Sequence, residues 1–183
     1  MASSSEILDA CALINLYASK FMSEIISSRP AQCYVVEQVL QESLFIRRPS
    51  DTGVGFDKEP LALTSLFDSD QIRTVELQSE EEKGSFVNFA LQIDDGEAAT
   101  IAIAISRQMQ VVTDDKKTIR LLKRETPGTA CFSTLEVIKT WSEECLVGFD
   151  ATKAALSNVL KYANYRPGKG HPLFEWWHTI LNS

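Results

Sequence analysis

DDGEAATIAIAISRQMQVVTDD, residues 94–115, decides how this chain is read. Its interior predicts a helix followed by a strand. Ala98, Ile101, Ala102 and Ile105 recur at the i, i+3, i+4 and i+7 spacing of one helix face, and MQVVT is a short apolar run of the kind buried in a parallel sheet. Acids bracket the pair: Asp94, Asp95 and Glu97 in front, Asp114 and Asp115 behind. These acids have two readings. Asp94 or Asp95 ahead of Glu97 has the spacing of a helix cap, and Asp114 or Asp115 can cap a helix that starts at Lys116. The other reading brings the acids together in space to hold a hard cation.

Working outward, the same plan repeats. EILDACALINLYAS is a short apolar run ending at Asp9, after which Leu13, Leu16, Tyr17, Phe21 and Ile25 take helical spacing. In QCYVVEQVLQESLFIRR, the β-rich Cys33 to Val36 lead into a helical period of Val36, Val39, Leu40, Ser43 and Leu44, which places Glu42 on a helix. RRPSDTGVGFDKEP, rich in Pro, Gly and Asp, reads as a loop or small insertion at 49–60. QIRTVEL reads as a strand, SEEEKGSFVNFALQI as a helix capped by Ser79 with Glu82 three later and weakened by Gly84, KKTIRLLKRE as a helix and ACFST as a strand. Asp150 is placed to cap ATKAALSNVLKYA and Pro172 to open LFEWWHTIL, so 150–183 form a C-terminal helical extension. Strands alternating with helices predict one α/β domain over residues 1–183, a three-layer α/β/α fold around a mainly parallel sheet. In such sheets sites form beyond the carboxyl ends of the strands. Asp9 and the Asp114, Asp115 pair sit at such ends, and Glu42 and Glu97 would reach them from helices.

Composition narrows the function classes. A chain of 183 residues with 44% hydrophobic side chains can bury one substantial core. It lacks the run of about 18 apolar residues needed to span a bilayer, and MASSSE lacks the basic start and apolar run of a signal peptide, so a cytoplasmic protein is expected. Cys11, Cys33, Cys131 and Cys145 have no CxxC spacing and are expected to be reduced, mostly buried thiols rather than zinc ligands. A net charge of −7 and a pI near 4.9 argue against a general nucleic-acid coat protein. They weigh little against a phosphate substrate, because cation binding at an acidic site neutralises part of that charge. Lys116, Lys117, Arg120, Lys123 and Arg124 form one basic stripe beside the acids, which either grips RNA phosphates or is a solvated face. Arg166, Lys169 and His171 in YRPGKGHP could reach a phosphate or belong to a surface connection. Trp141, Trp176 and Trp177 could stack bases, or pack in the core or a dimer interface.

Three motifs together carry a resemblance to a known family. ILDACALINL, with Asp9 and Asn15, VVEQVLQESL, with Glu42, and GEAATIAIAISRQMQVVTDD, in which Glu97 precedes Asp115 by 18 positions and Thr113 opens a T-x-D ending, resemble PIN-domain nucleases, including VapC-like toxins of toxin–antitoxin pairs. The likeness is closest to a subgroup with a GEA helix start and a DD strand end, and it covers roughly residues 5–180. The resemblance implies a metal-dependent ribonuclease, with Asp9, Glu42, Glu97 and Asp115 as the catalytic acids. Asp9, Glu97 and Asp115, with Asp114 as the one-residue alternative, would hold Mg²⁺ or Mn²⁺, and Asn15 and Thr113 would support them from behind. It also implies an RNA substrate, an antitoxin protein partner and a homodimer. The alternative is a PIN-like module without turnover that binds RNA or protein. A receiver-type phosphoacceptor domain fits less well, since its early acid pair and late lysine do not occur in this order. In one respect the chain departs from the family: Gln108 stands where many members have glycine, a position that favours a left-handed backbone.

Overall fold

A computed structural model describes residues 4–42 and 44–183. The first half of the chain runs β1 (Ser5–Leu8), α1 (Ala10–Ala18), α2 (Met22–Ser27), β2 (Gln32–Val36), α3 (Glu37–Gln41), β3 (Phe45–Pro49), β4 (Phe56–Pro60), α4 (Thr64–Asp68), β5 (Ile72–Val75) and α5 (Glu80–Ala90). The second half runs α6 (Asp95–Ser106), β6 (Gln110–Val112), α7 (Lys116–Glu125), β7 (Cys131–Phe132), α8 (Thr134–Glu144), α9 (Phe149–Asn158), a π-helical turn at Val159–Ala163, and α10 (Phe174–Asn182). Five strands form one sheet in the order β5-β2-β1-β6-β7, and every pairing is parallel. Helices cover both faces: α6 lies on β1, β2 and β6 with α3, α5 and α7 packed around it, and α1, α2 and α8 form the opposite layer. The expected three-layer α/β/α architecture is the one observed.

The register places the site. Leu8 pairs with Val35 on one side and Val112 on the other, and Val112 pairs with Phe132. The residues that follow these strands therefore leave the sheet level with one another. Chain order reverses between β1 and β6, since β2 and β5 build out from one side of β1 and β6 and β7 from the other. The crevice at this reversal is where open parallel sheets place ligands.

The opening segment folds as helix then strand, but its helix is buried more completely than one apolar face requires. Ala98 through Ala104 are all buried, Thr100 included, because α6 is enclosed by the sheet below and helices around it. Alternating alanine and isoleucine suits a helix covered all round. The neighbouring strands are equally dry, with Ile7, Val35 and Val111 at 0% exposure.

Several sequence expectations need correction. Residues 49–60 are a hairpin's turn and second strand rather than a plain loop, which leaves the small-insertion reading open: β3 and β4 pair antiparallel, and Gly53 and Gly55, at φ of +74° and +83°, turn the chain between them. Arg47, Arg48, Asp57 and Lys58 are exposed or nearly so, so this hairpin shows no buried alternation to read in advance. It leans by β3 on α1 and the π turn. The second helix stops at Gln41, so Glu42 is extended (φ −72°, ψ 153°) beyond its end, and Leu44 is not helical. Ser43, counted in that helical period, lies outside the described residues. Asp150 sits in the first turn of α9, whose capping position is Gly148, and α10 begins after Leu173 rather than at Pro172. Cys145 is exposed, whereas only Cys33 is fully buried; all four thiols are free. Gln108 takes the left-handed backbone, φ +54°, at the slot between α6 and β6. Trp141 and Trp177 are core residues, 5% and 6% exposed.

Candidate functional site: an acidic edge at the ends of β1 and β6

Asp9 leaves β1 directly into α1. Its backbone N–H donates to Val112 O at 3.2 Å, tying the ends of β1 and β6 together. Its side chain caps α1, with Oδ1 accepting from Ala12 N at 2.7 Å and the Cys11 thiol donating to both carboxylate oxygens at 3.1 and 3.2 Å. The group is 1% exposed. Burial pushes its pKa up to about 6 despite the bonds from Thr113, Ala12 and Cys11, and the Asp114 charge adds to the rise.

At the end of β6, three consecutive residues have three roles. Thr113 is fully buried, donates its N–H to Phe132 O at 2.9 Å and accepts from Asp115 N through Oγ1 at 3.0 Å. Asp114 turns inward and gathers donors from three distant segments. Asn15 Nδ2 reaches it at 2.9 Å, Thr134 N at 3.2 Å and Tyr165 OH at 2.9 Å, and the Thr134 hydroxyl also donates to it. The Tyr165 phenol is held protonated by its burial and by the Asp114 charge. Asp115 turns the other way and caps α7, with Oδ1 accepting from Lys117 N at 2.7 Å and Thr118 N at 2.8 Å. The one-residue ambiguity of the DD pair thus has a structural difference behind it. Asp114 is spent on internal bonds, while Asp115 stays at the edge.

Glu97 approaches the same edge from the first turn of α6 and is half-buried. Its pKa is pushed up to about 7 by burial first, then by the charges of Asp115, Asp9 and Asp94. These influences put Asp9, Glu97 and Asp115 in one electrostatic neighbourhood, although they come from three separate strand–helix units. Asp9, Glu97 and Asp115 each stand at or in the first turn of a helix, α1, α6 and α7 respectively, whose N-terminal partial positive charge favours carboxylates.

Glu42 is less closely joined to this group. Its carboxylate rests against Gly96, so close that a Cβ there would collide with it. Its pKa is raised by burial and then by Asp94 and Asp95. Asp94 occupies the capping position of α6 without a side-chain capping bond, so the expected capping role of the first acid pair reduces to charge near the helix end. The basic stripe lies along α7: Lys116, Lys117, Arg120, Lys123 and Arg124 are all exposed. Lys117, Arg120 and Arg124 line a hollow of about 310 Å³ with Gln92 and Ile93.

Hard carboxylate oxygens such as those of Asp9, Glu97 and Asp115 suit a divalent cation such as Mg²⁺ or Mn²⁺ in chemistry. In geometry, no three His, Cys, Asp or Glu side chains among the described residues are gathered closely enough to hold a metal ion. Thr134, Tyr165 and Cys11 were missed by sequence reasoning. Thr134 had a legible signal, since it stands two residues past the end of β7 as Asp114 stands two past the end of β6. Tyr165 had none, being carried in by an irregular segment after the left-handed Asn164. Comparison with known families, with characterised proteins and with solved structures finds no match to this chain. No helix among the described residues is long and apolar enough to cross a membrane.

Proposed function

We propose that this chain is a PIN-like, metal-dependent ribonuclease whose acids Asp9, Glu97 and Asp115 hold Mg²⁺ or Mn²⁺ at the carboxyl edge of the sheet. One observation carries the reading: acids from three separate β–α units share the edge at the sheet's reversal point, next to a fourth, Asp114, locked in place behind them. Bound there, the cation would lower the pKa of a water and offset charge on a phosphodiester. The protein's own share is positional. Asn15, Thr134 and Tyr165 fix Asp114, and with it the β6–α7 turn that carries Asp115. Thr113 fixes the same turn through the Asp115 N–H. Glu42 orients or adds charge from beyond Gly96, and Lys116, Lys117, Arg120, Lys123 and Arg124 hold the RNA backbone beside the edge. A toxin role under an antitoxin protein, as a cytoplasmic homodimer, is the narrower form of the proposal.

A second reading rests on the caps. Asp9 and Asp115 already satisfy helix N-termini, which suits a PIN-like module that binds RNA or protein without turnover. Incubation of the full chain with single-stranded and structured RNA, with Mg²⁺, Mn²⁺ or EDTA, separates the two. Cleavage that requires metal supports the nuclease, and binding without cleavage supports the module.

A further inference from the structure

Away from the acidic edge, the C-terminal segment builds a cleft of about 690 Å³ between α9, the π turn and α10, inside the range of about 300–1,000 Å³ typical of small-molecule sites. Its walls combine Lys161, Arg166 and Lys169 with Phe174, Trp177 and His178, and no carboxylate lines it. In a chain of net charge −7 such a lining is against the average. Among the described residues the ion pairs involve none of these three cations. Arg166 lies instead over the Trp177 ring, 6.0 Å from its centroid, and the Phe174 and His178 rings are near-parallel at 24° and 6.0 Å. Three cations without acid partners leave an uncompensated positive field, and they share their cleft with flat rings. The ligand that answers both features is an anion joined to a planar ring.

We propose that this cleft binds a nucleotide, its phosphate held by Lys161, Arg166 and Lys169 and its base stacked against the half-buried Phe174 and exposed His178 rings, with Trp177 as the buried backing under Arg166. The same chemistry is met by a free nucleoside monophosphate and by one residue of an RNA strand. Position in the chain joins the cleft to the acidic edge, since Tyr165, whose phenol bonds Asp114, is the neighbour of Arg166.

The test is equilibrium binding to the full chain in EDTA, which leaves the acidic edge out of the measurement and prevents metal-dependent cutting. The probes are uridine and adenosine 5′-monophosphate, the corresponding nucleosides, and a five-residue oligoribonucleotide. Saturable binding of a monophosphate, at least about tenfold tighter than its nucleoside and weakened about tenfold by Arg166→Gln or Lys169→Ala, is the expected result. Oligoribonucleotide binding with the same variant pattern but no monophosphate binding would assign the site to an RNA strand. Arg166 and Lys169 are exposed, so these variants are expected to keep the parent's thermal midpoint. Absence of saturable binding by every probe would overturn the proposal. So would binding that is indifferent to both variants yet lost on charge reversal at Lys117 and Arg120. Either failure leaves the ribonuclease reading standing, because that reading is tested by metal-dependent cleavage.

Discussion

Replacing Asp114 with alanine should cost far more stability than any change at its neighbour Asp115. The carboxylate takes four hydrogen bonds, from Asn15 Nδ2, Thr134 N, Thr134 Oγ1 and Tyr165 OH. Asn15 and Thr134 are 4% and 0% exposed, so water cannot readily replace the lost acceptor for them. Half-buried Tyr165 can turn its phenol toward solvent, and Asn15 keeps a 3.3 Å contact with Thr134 Oγ1. That leaves about two donors to a charged acceptor without a substitute, at about 1.5–3 kcal/mol each, or about 3–6 kcal/mol for the variant. Tyr165→Phe removes one recoverable bond and should cost about 1 kcal/mol. Asp115→Asn should cost less than about 0.5 kcal/mol, since asparagine caps a helix as well as aspartate. Urea unfolding of the three variants, with the dependence on denaturant unchanged, reads these differences from the midpoints. A loss below about 1 kcal/mol for Asp114→Ala, or an equal loss for Asp115→Asn, would refute the division of the pair into an internal anchor and an edge acid.

Other predictions concern charge. Glu97 and Asp9 have folded pKa values raised to about 7 and about 6, so the metal-free fold favours their protonated forms. Their contribution is fully present below the unfolded values near 4 and is lost as pH rises through 6 to 7. Glu97→Gln should therefore raise the thermal midpoint in EDTA at pH 8 and leave it unchanged near pH 4; a gain of the same size at both pH values would show that repulsion at the edge is not the cause. Glu82 behaves in the opposite sense. Buried at 3% exposure and bonded to Arg107 at 2.6 and 3.0 Å, it is held down to about 2. Arg107→Ala should destabilise by about 3 kcal/mol at pH 7, with the difference shrinking as acid carries Glu82 through its folded pKa; a constant penalty down to pH 2 would contradict it. On α7, reversing Lys117 and Arg120 should weaken RNA binding uniformly across sequences and reduce its salt dependence by about one unit of slope per contact. An unchanged slope would mean that the stripe is only a solvated face.

How far the sequence could be read depends on where each element is buried. Helix α6 and strand β6 were legible because Ala98, Ile101, Val111 and Val112 face a dry interior, which enforces their pattern. Ser79 with Glu82 was legible because both halves of that capping box are local, and both bonds form. The β3–β4 hairpin was not, because a ribbon with exposed sides needs no alternation. The end of α3 was also misplaced, since helical spacing continued into residues that tertiary packing draws into the hairpin. At the site, Asp9, Glu97 and Asp115 were nominated by strand ends and helix starts, which sequence reveals. The roles of Asp114, Thr134 and Tyr165 depend on contacts across 20, 51 and 99 positions, which one sequence does not encode locally.

The central claim is that Asp9, Glu97 and Asp115 form one metal-dependent site for RNA cleavage. It is tested most directly by titrating Mg²⁺ or Mn²⁺ into the parent, Asp9→Asn and Asp115→Asn proteins while following cutting of single-stranded RNA. Both asparagine variants retain helix caps, so all three proteins should fold. The account predicts metal-dependent cleavage by the parent and a loss of about a hundredfold or more in each variant. Cleavage that persists undiminished in both variants, or a parent protein that neither binds the cation nor cuts RNA, would contradict it.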